Sequence, residues 1–96
     1  MINQEIRNRI RLSVYAYAYE YLNHSVVSDS QFDKLASEIQ PNVSTGNETL
    51  DKFFKNHFMP DTGIWVHRHP EIEGIKYLYN TYYKDKTKWH LNNTVK

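Results

Sequence analysis

The chain has 96 residues, the length of one domain with one modest core. Its 12 Lys and Arg nearly balance 11 Asp and Glu, a net charge of +1 that argues against a dedicated polyanion binder. With no cysteine there is no disulfide, thiolate metal site or Cys nucleophile, and no basic-then-apolar leader or membrane-length apolar run is present. The expectation is a cytoplasmic protein without a membrane partner. Eight tyrosines, four phenylalanines and two tryptophans supply the aromatic area that serves a core, an interface or a ligand site.

Residues 2–23 predict the first helix. Ile6, Ile10, Val14, Tyr17 and Tyr21 recur at helical spacing and form one apolar face. Arg7, Asn8, Arg9 and Arg11 mark a polar face in its first half, and Leu12, Tyr15, Tyr19 and Leu22 add a second stripe. Asn23, His24 and Ser25 break the pattern, since Asn and Ser favour helix ends.

Val26 and Val27 follow in an extended link. Ser28-Asp29-Ser30-Gln31 then has the form of a capping box, with Asp29 placed to suit the helix dipole. Phe32, Leu35, Ala36 and Ile39 give the second helix an unbroken apolar stripe. Asp29 and Asp33 lie one turn apart at the edge of that stripe, and Pro41 ends the helix.

Thr45-Gly46-Asn47-Glu48 offers a second capping box, ahead of a third helix marked by Leu50, Phe53, Phe54, His57 and Phe58. Met59 to Gly63 reads as a turn. Ile64-Trp65-Val66-His67 reads as a short strand or extended segment. His69-Pro70 opens a fourth helix with Ile72, Ile75, Tyr79 and Tyr82 on its inner face. The resulting expectation is a mainly α-helical domain of about four helices, with a helical hairpin at the N-terminus. It has at most one short extended segment near 64–67. Residues 1–86 form the domain, as a pair over 1–40 and a second pair over 45–86, with a tail over 87–96.

The run Tyr19-Glu20-Tyr21-Leu22, a short link and Val27-Ser28-Asp29-Ser30-Gln31-Phe32-Asp33-Lys34-Leu35 resembles the N-terminal Ia subdomain of bacterial NAD-dependent DNA ligases. There two helices carry a tyrosine near the end of the first and a Ser-Asp-x-x-Tyr-Asp motif opening the second. The resemblance covers roughly the first 40 residues. It implies that Tyr19, Asp29, Phe32 and Asp33 contact the nicotinamide mononucleotide (NMN) half of NAD. An oxidised nicotinamide ring is cationic and suits an aromatic face and carboxylates, and ribose hydroxyls donate well to carboxylate oxygens. Phe32 stands where the family has tyrosine, and Glu20 where it often has His or Tyr. No Lys-x-Asp-Gly nucleophile motif is present, so the resemblance implies a stand-alone, non-catalytic relative of the kind carried by phages.

Three functions remain open at this level. The favoured one is a protein-interaction module, for instance a factor that binds or inhibits a host protein, using exposed Tyr77, Tyr83 and Trp89. It requires no cofactor. The alternative is a binding module for NAD or NMN. A nucleic-acid role through Arg7, Arg9, Arg11 and the lysines from Lys84 to Lys88 ranks below both. His67 and His69 would face the same way on a strand and suggest a metal pair, although no third ligand is fixed and His69 also fits as a helix cap.

Overall fold

The computed structural model describes residues 2–84. Four α-helices are found there: α1 (Ile2–Leu22), α2 (Asp29–Glu38), α3 (Glu48–His57) and α4 (Ile72–Leu78). A 3₁₀ helix spans Ile64–Arg68, and a π-helical turn, Tyr79–Tyr83, continues α4. The expected mainly helical domain is what forms. The expected tail over 87–96, and Trp89 within it, lie outside the described residues.

α1 is the spine. Leu12, Ser13, Val14, Ala16 and Ala18 are fully buried, so its middle is covered all round rather than along one stripe. Small side chains make this feasible: α2, α4 and the 3₁₀ helix all pack on α1. Ser13 satisfies its buried hydroxyl by donating to the Arg9 carbonyl at 2.7 Å. The pair expected over 45–86 is therefore organised through α1. α3 joins the core by its rings, with Phe53 and Phe54 against Trp65 and His69.

The polar face expected at Asn8 and Arg9 is instead interior: Arg9 is 4% exposed and Glu5 2%. Arg9 Nε donates to Glu5 at 2.6 Å, Nη1 to Asp51 at 2.8 Å, and Nη2 to the carbonyls of Gln40 and Val43 at 2.8 and 3.1 Å. Both Glu5 oxygens accept the Gln40 N–H at 3.0 Å. Asp51 also takes the Thr45 N–H and hydroxyl, at 2.9 and 2.7 Å. The guanidinium lies 5.0 Å from the centre of the Phe54 ring. One cation thus ties α1 to α3 and to the loop between α2 and α3.

The cap signals divide. Ser28 and Gln31 form the expected reciprocal box. The second box does not form, because Thr45 is engaged with Asp51; Asn47 caps α3 by accepting the Leu50 N–H. Gly46, at φ +95°, supplies the left-handed turn before it. Asn23, at φ +56°, ends α1 in the same left-handed region, which asparagine tolerates.

Residues 64–67 are not extended. Trp65 and Val66 are buried, and Trp65 Nε1 donates to the Thr62 carbonyl at 2.6 Å, which favours a tight turn over a strand. In the last helix the inner face shifts after Tyr79. A π turn adds a residue, so Tyr83 replaces Tyr82 on the core side. Tyr82 is 66% exposed, while Tyr83 packs edge-on against Tyr15 with ring centres 5.9 Å apart.

His69 is 7% exposed and accepts the Glu71 N–H on Nδ1 at 3.0 Å, just ahead of α4, without forming the expected helix cap. Burial pushes its imidazole down from 6.5 to about 4. Between these values the unfolded chain binds a proton that the folded one refuses. Stability from this group is therefore full above about pH 6.5 and falls toward pH 4, by about 3 kcal/mol. Asp51 acts lower: the Thr45 hydroxyl first, then the Thr45 N–H and Arg9, hold its carboxyl below 3.8. Its contribution is present above 3.8 and lost as pH falls through the lowered value.

Two predictions follow from this packing. Arg9→Met strands the buried Glu5 carboxylate and is expected to cost about 3–5 kcal/mol in urea unfolding. The exposed Arg7→Met should stay within about 0.5 kcal/mol; equal losses would dismiss the network as the main tie. For His69, unfolding followed between about pH 7 and pH 4 should steepen in the wild type and flatten in His69→Gln. Parallel curves would remove the buried imidazole as the cause.

Candidate functional site

The C-terminal half of α1, the hinge after it and the start of α2 enclose an open cleft of about 380 Å³. The turn at 61–63 closes the other side. This turn lies close to α1: a Cβ on Gly63 would stand 3.3 Å from Ala16 Cβ and 3.6 Å from Phe32 Cζ. Glycine at this position lets the turn approach α1 and Phe32 so closely.

All four residues singled out by the ligase-like pattern, Tyr19, Asp29, Phe32 and Asp33, line this one cleft. Each owes its place to a local cause. Tyr19 lies in the last turn of α1, and its carbonyl accepts the Asn23 N–H at 3.1 Å in the turn that ends the helix. Asp29 and Asp33 occupy successive turns of α2, whose start is fixed by the Ser28–Gln31 box. Phe32 is partly buried against the core between them.

Other residues join them that sequence reasoning did not place here. Tyr15 adds a third aromatic side chain. Glu20 and Asp61 bring the carboxylates in the wall to four, with Asp29 and Asp33. Glu20 is no solvated bystander: its Oε1 accepts from His67 Nε2 at 3.0 Å. The His67 ring lies tilted against Tyr21 with centres 4.8 Å apart, and Tyr21 stacks at 4.9 Å on Tyr17. The departure from the family pattern at position 20 was the only signal for Glu20. For Asp61 there was none, because the approach of its turn to α2 is a long-range contact.

No Lys, Arg or His is among the described residues of the cleft wall. Aromatic faces beside carboxylates make it suited to a cation carrying hydroxyl groups and ill-suited to a buried phosphate. No group of three or more metal-ligating side chains occurs among the described residues.

The other expected sites separate. Tyr77 is 64% exposed, as an interface residue would be. Tyr83 is not: the π turn carries it inward. Trp89 lies outside the described residues. His67 and His69 diverge because residues 64–68 are 3₁₀ rather than strand; one is bound to Glu20, the other to the Glu71 N–H. Arg9 is committed to the interior, which leaves Arg7 and Arg11 exposed, the latter bonded to Tyr15; of the lysines from Lys84 to Lys88 only Lys84 lies among the described residues. No helix among the described residues is long and apolar enough to cross a membrane.

The chain matches no protein-family model, no curated protein and no solved structure.

The register shift in the last helix has a simple consequence. Tyr83→Ala should cost about 1–2 kcal/mol by removing a ring packed on Tyr15, whereas Tyr82→Ala should be neutral within about 0.5 kcal/mol. The reverse order in denaturant unfolding would restore an uninterrupted α-helical register.

Proposed function

We propose that this protein is a binding module for a nicotinamide nucleotide, NAD or NMN, and that it takes the nicotinamide nucleoside end into the cleft. One observation carries the reading: Tyr19, Asp29, Phe32 and Asp33, chosen on sequence pattern alone, share one open cleft. The resemblance of residues 19–35 to the ligase Ia subdomain supports the same ligand.

The chemistry of the wall favours this assignment. The cationic ring lies among Tyr15, Tyr19 and Phe32, with four carboxylates offsetting its charge. Asp29 and Asp33, one turn apart, accept from the ribose hydroxyls. The phosphate stays at the mouth, in water, because the wall offers it no cation. In this reading the module holds the nucleotide without transforming it. The protein-contact reading draws less support, since of its three residues only Tyr77 stands exposed among those described.

The test is thermal unfolding with NMN, nicotinamide riboside or the ring-reduced nucleotide, each at millimolar concentration. A ligand at a hundred times its dissociation constant stabilises by about 2.7 kcal/mol, which moves the midpoint of a domain this size by several degrees. The expected order is riboside at least equal to NMN, with the uncharged reduced ring giving little shift. Asp33→Ala should abolish the shift. No shift with any of the three, or equal shifts with oxidised and reduced rings, would sink the reading and transfer the function to the exposed Tyr77 and Tyr82 surface.

A further inference from the structure

A second cavity, of about 310 Å³, lies on the opposite half of α1, enclosed by α1, α3 and α4. Ile6, Ile10, Phe54, Ile75 and Leu78 make its wall predominantly apolar. Among its polar residues is His69, which is over nine-tenths buried.

The hydrogen bonding of that ring sets its tautomer. Nδ1 accepts the Glu71 N–H at 3.0 Å, so the neutral imidazole carries its proton on Nε2. Nε2 has no hydrogen-bond partner among the described residues. Nor is it sealed: the one described side-chain nitrogen or oxygen both sealed and unpartnered is His24 Nδ1. A donor in a mostly apolar wall therefore keeps access to open space, and the cavity is the space its ring lines.

The charges around the cavity limit what fits. Arg9 lines it, but its charge is met by Glu5 and Asp51, and Glu71 adds a further carboxylate. An anion finds no uncompensated cation there. The one carboxylate of the lining, Glu71, is solvent-exposed, so a cation beside it keeps its water rather than entering the apolar wall. The geometry points to a second, independent binding site for a small neutral molecule with an apolar body and one hydrogen-bond acceptor, received by His69 Nε2–H. The volume is that of a small-ligand pocket.

Acetophenone, labelled with ¹³C at its carbonyl, has this chemistry and serves as the probe. It is titrated into the ¹⁵N-labelled full chain and followed by NMR. The expected result is saturable shifts at Phe54, His69, Ile75 and Leu78, movement of the His69 Nε2 resonance, and a downfield shift of the bound carbonyl. Gly74 lines the cavity, and a Cβ there meets nothing within 4 Å. Gly74→Leu should therefore weaken binding about tenfold or more while the unfolding midpoint is maintained. Saturation without a carbonyl shift overturns the role of His69. Shifts confined to the first cleft, no saturation, or unchanged affinity in a folded Gly74→Leu overturn the site. The two cavities share no lining residue, so failure at this site leaves the nucleotide reading to its own test.

Discussion

A buried guanidinium is costly unless every nearby charge and dipole is arranged to receive it, and much of this fold meets that requirement for Arg9. The side chain is held by two carboxylates, two carbonyls and an aromatic face, drawn from α1, the 40–45 loop and α3. Glu5 and Arg9 together grip both backbone groups of Gln40, the N–H and the C=O. The loop between α2 and α3 has little apolar content of its own, so its path depends on these bonds. Replacing the cation does more than remove one ion pair. It leaves Glu5 without compensation and releases the loop that determines where α2 ends.

That arrangement divides α1 by role. Its first half anchors the loop and α3 through charge. Its second half packs through small residues, Ala16 and Ala18, that let the 61–63 turn and the 3₁₀ helix come close. The cleft forms where this close packing meets the wide turn at Asn23 and His24, which leads the chain away from the helix before α2 returns. Its carboxylates sit on exposed or half-buried positions. The core does not rely on them, and they can be arranged for a ligand.

What could be read from the sequence follows the range of the interactions. The Ser28–Gln31 box, the stripe of α2 and the break after Leu22 are set by neighbours within a few residues, and they form as the pattern implies. Tyr19, Asp29, Phe32 and Asp33 were legible for the same reason: two adjacent helices and a capped hinge nearly determine their relation. Asp61 was not legible, since only the tertiary approach of Gly63 to Ala16 brings it in. Arg9 was misread because an arginine among Arg7 and Arg11 resembles solvated charge. Its burial depends on Asp51, 42 residues away. Thr45 shows the competition directly, since the same hydroxyl that would cap α3 bonds Asp51 instead and leaves the cap to Asn47.

The two cavities differ in the physics that would select their occupants. In the first, four carboxylates stand on a wall with no described cation, so the field favours positive charge, and aromatic faces reinforce it. In the second, the Arg9 charge is already matched, the wall is mostly apolar and the open atom of its buried imidazole is a donor. An acceptor on a neutral body suits it, whereas a charged group would lose hydration without gaining a partner. A single molecule suited to one is unsuited to the other. α1 contributes to both walls, with Tyr15, Ala16, Tyr19 and Glu20 in one and Ile6, Arg9, Ile10 and Ser13 in the other. Any influence of one occupant on the other therefore has a direct route along this helix.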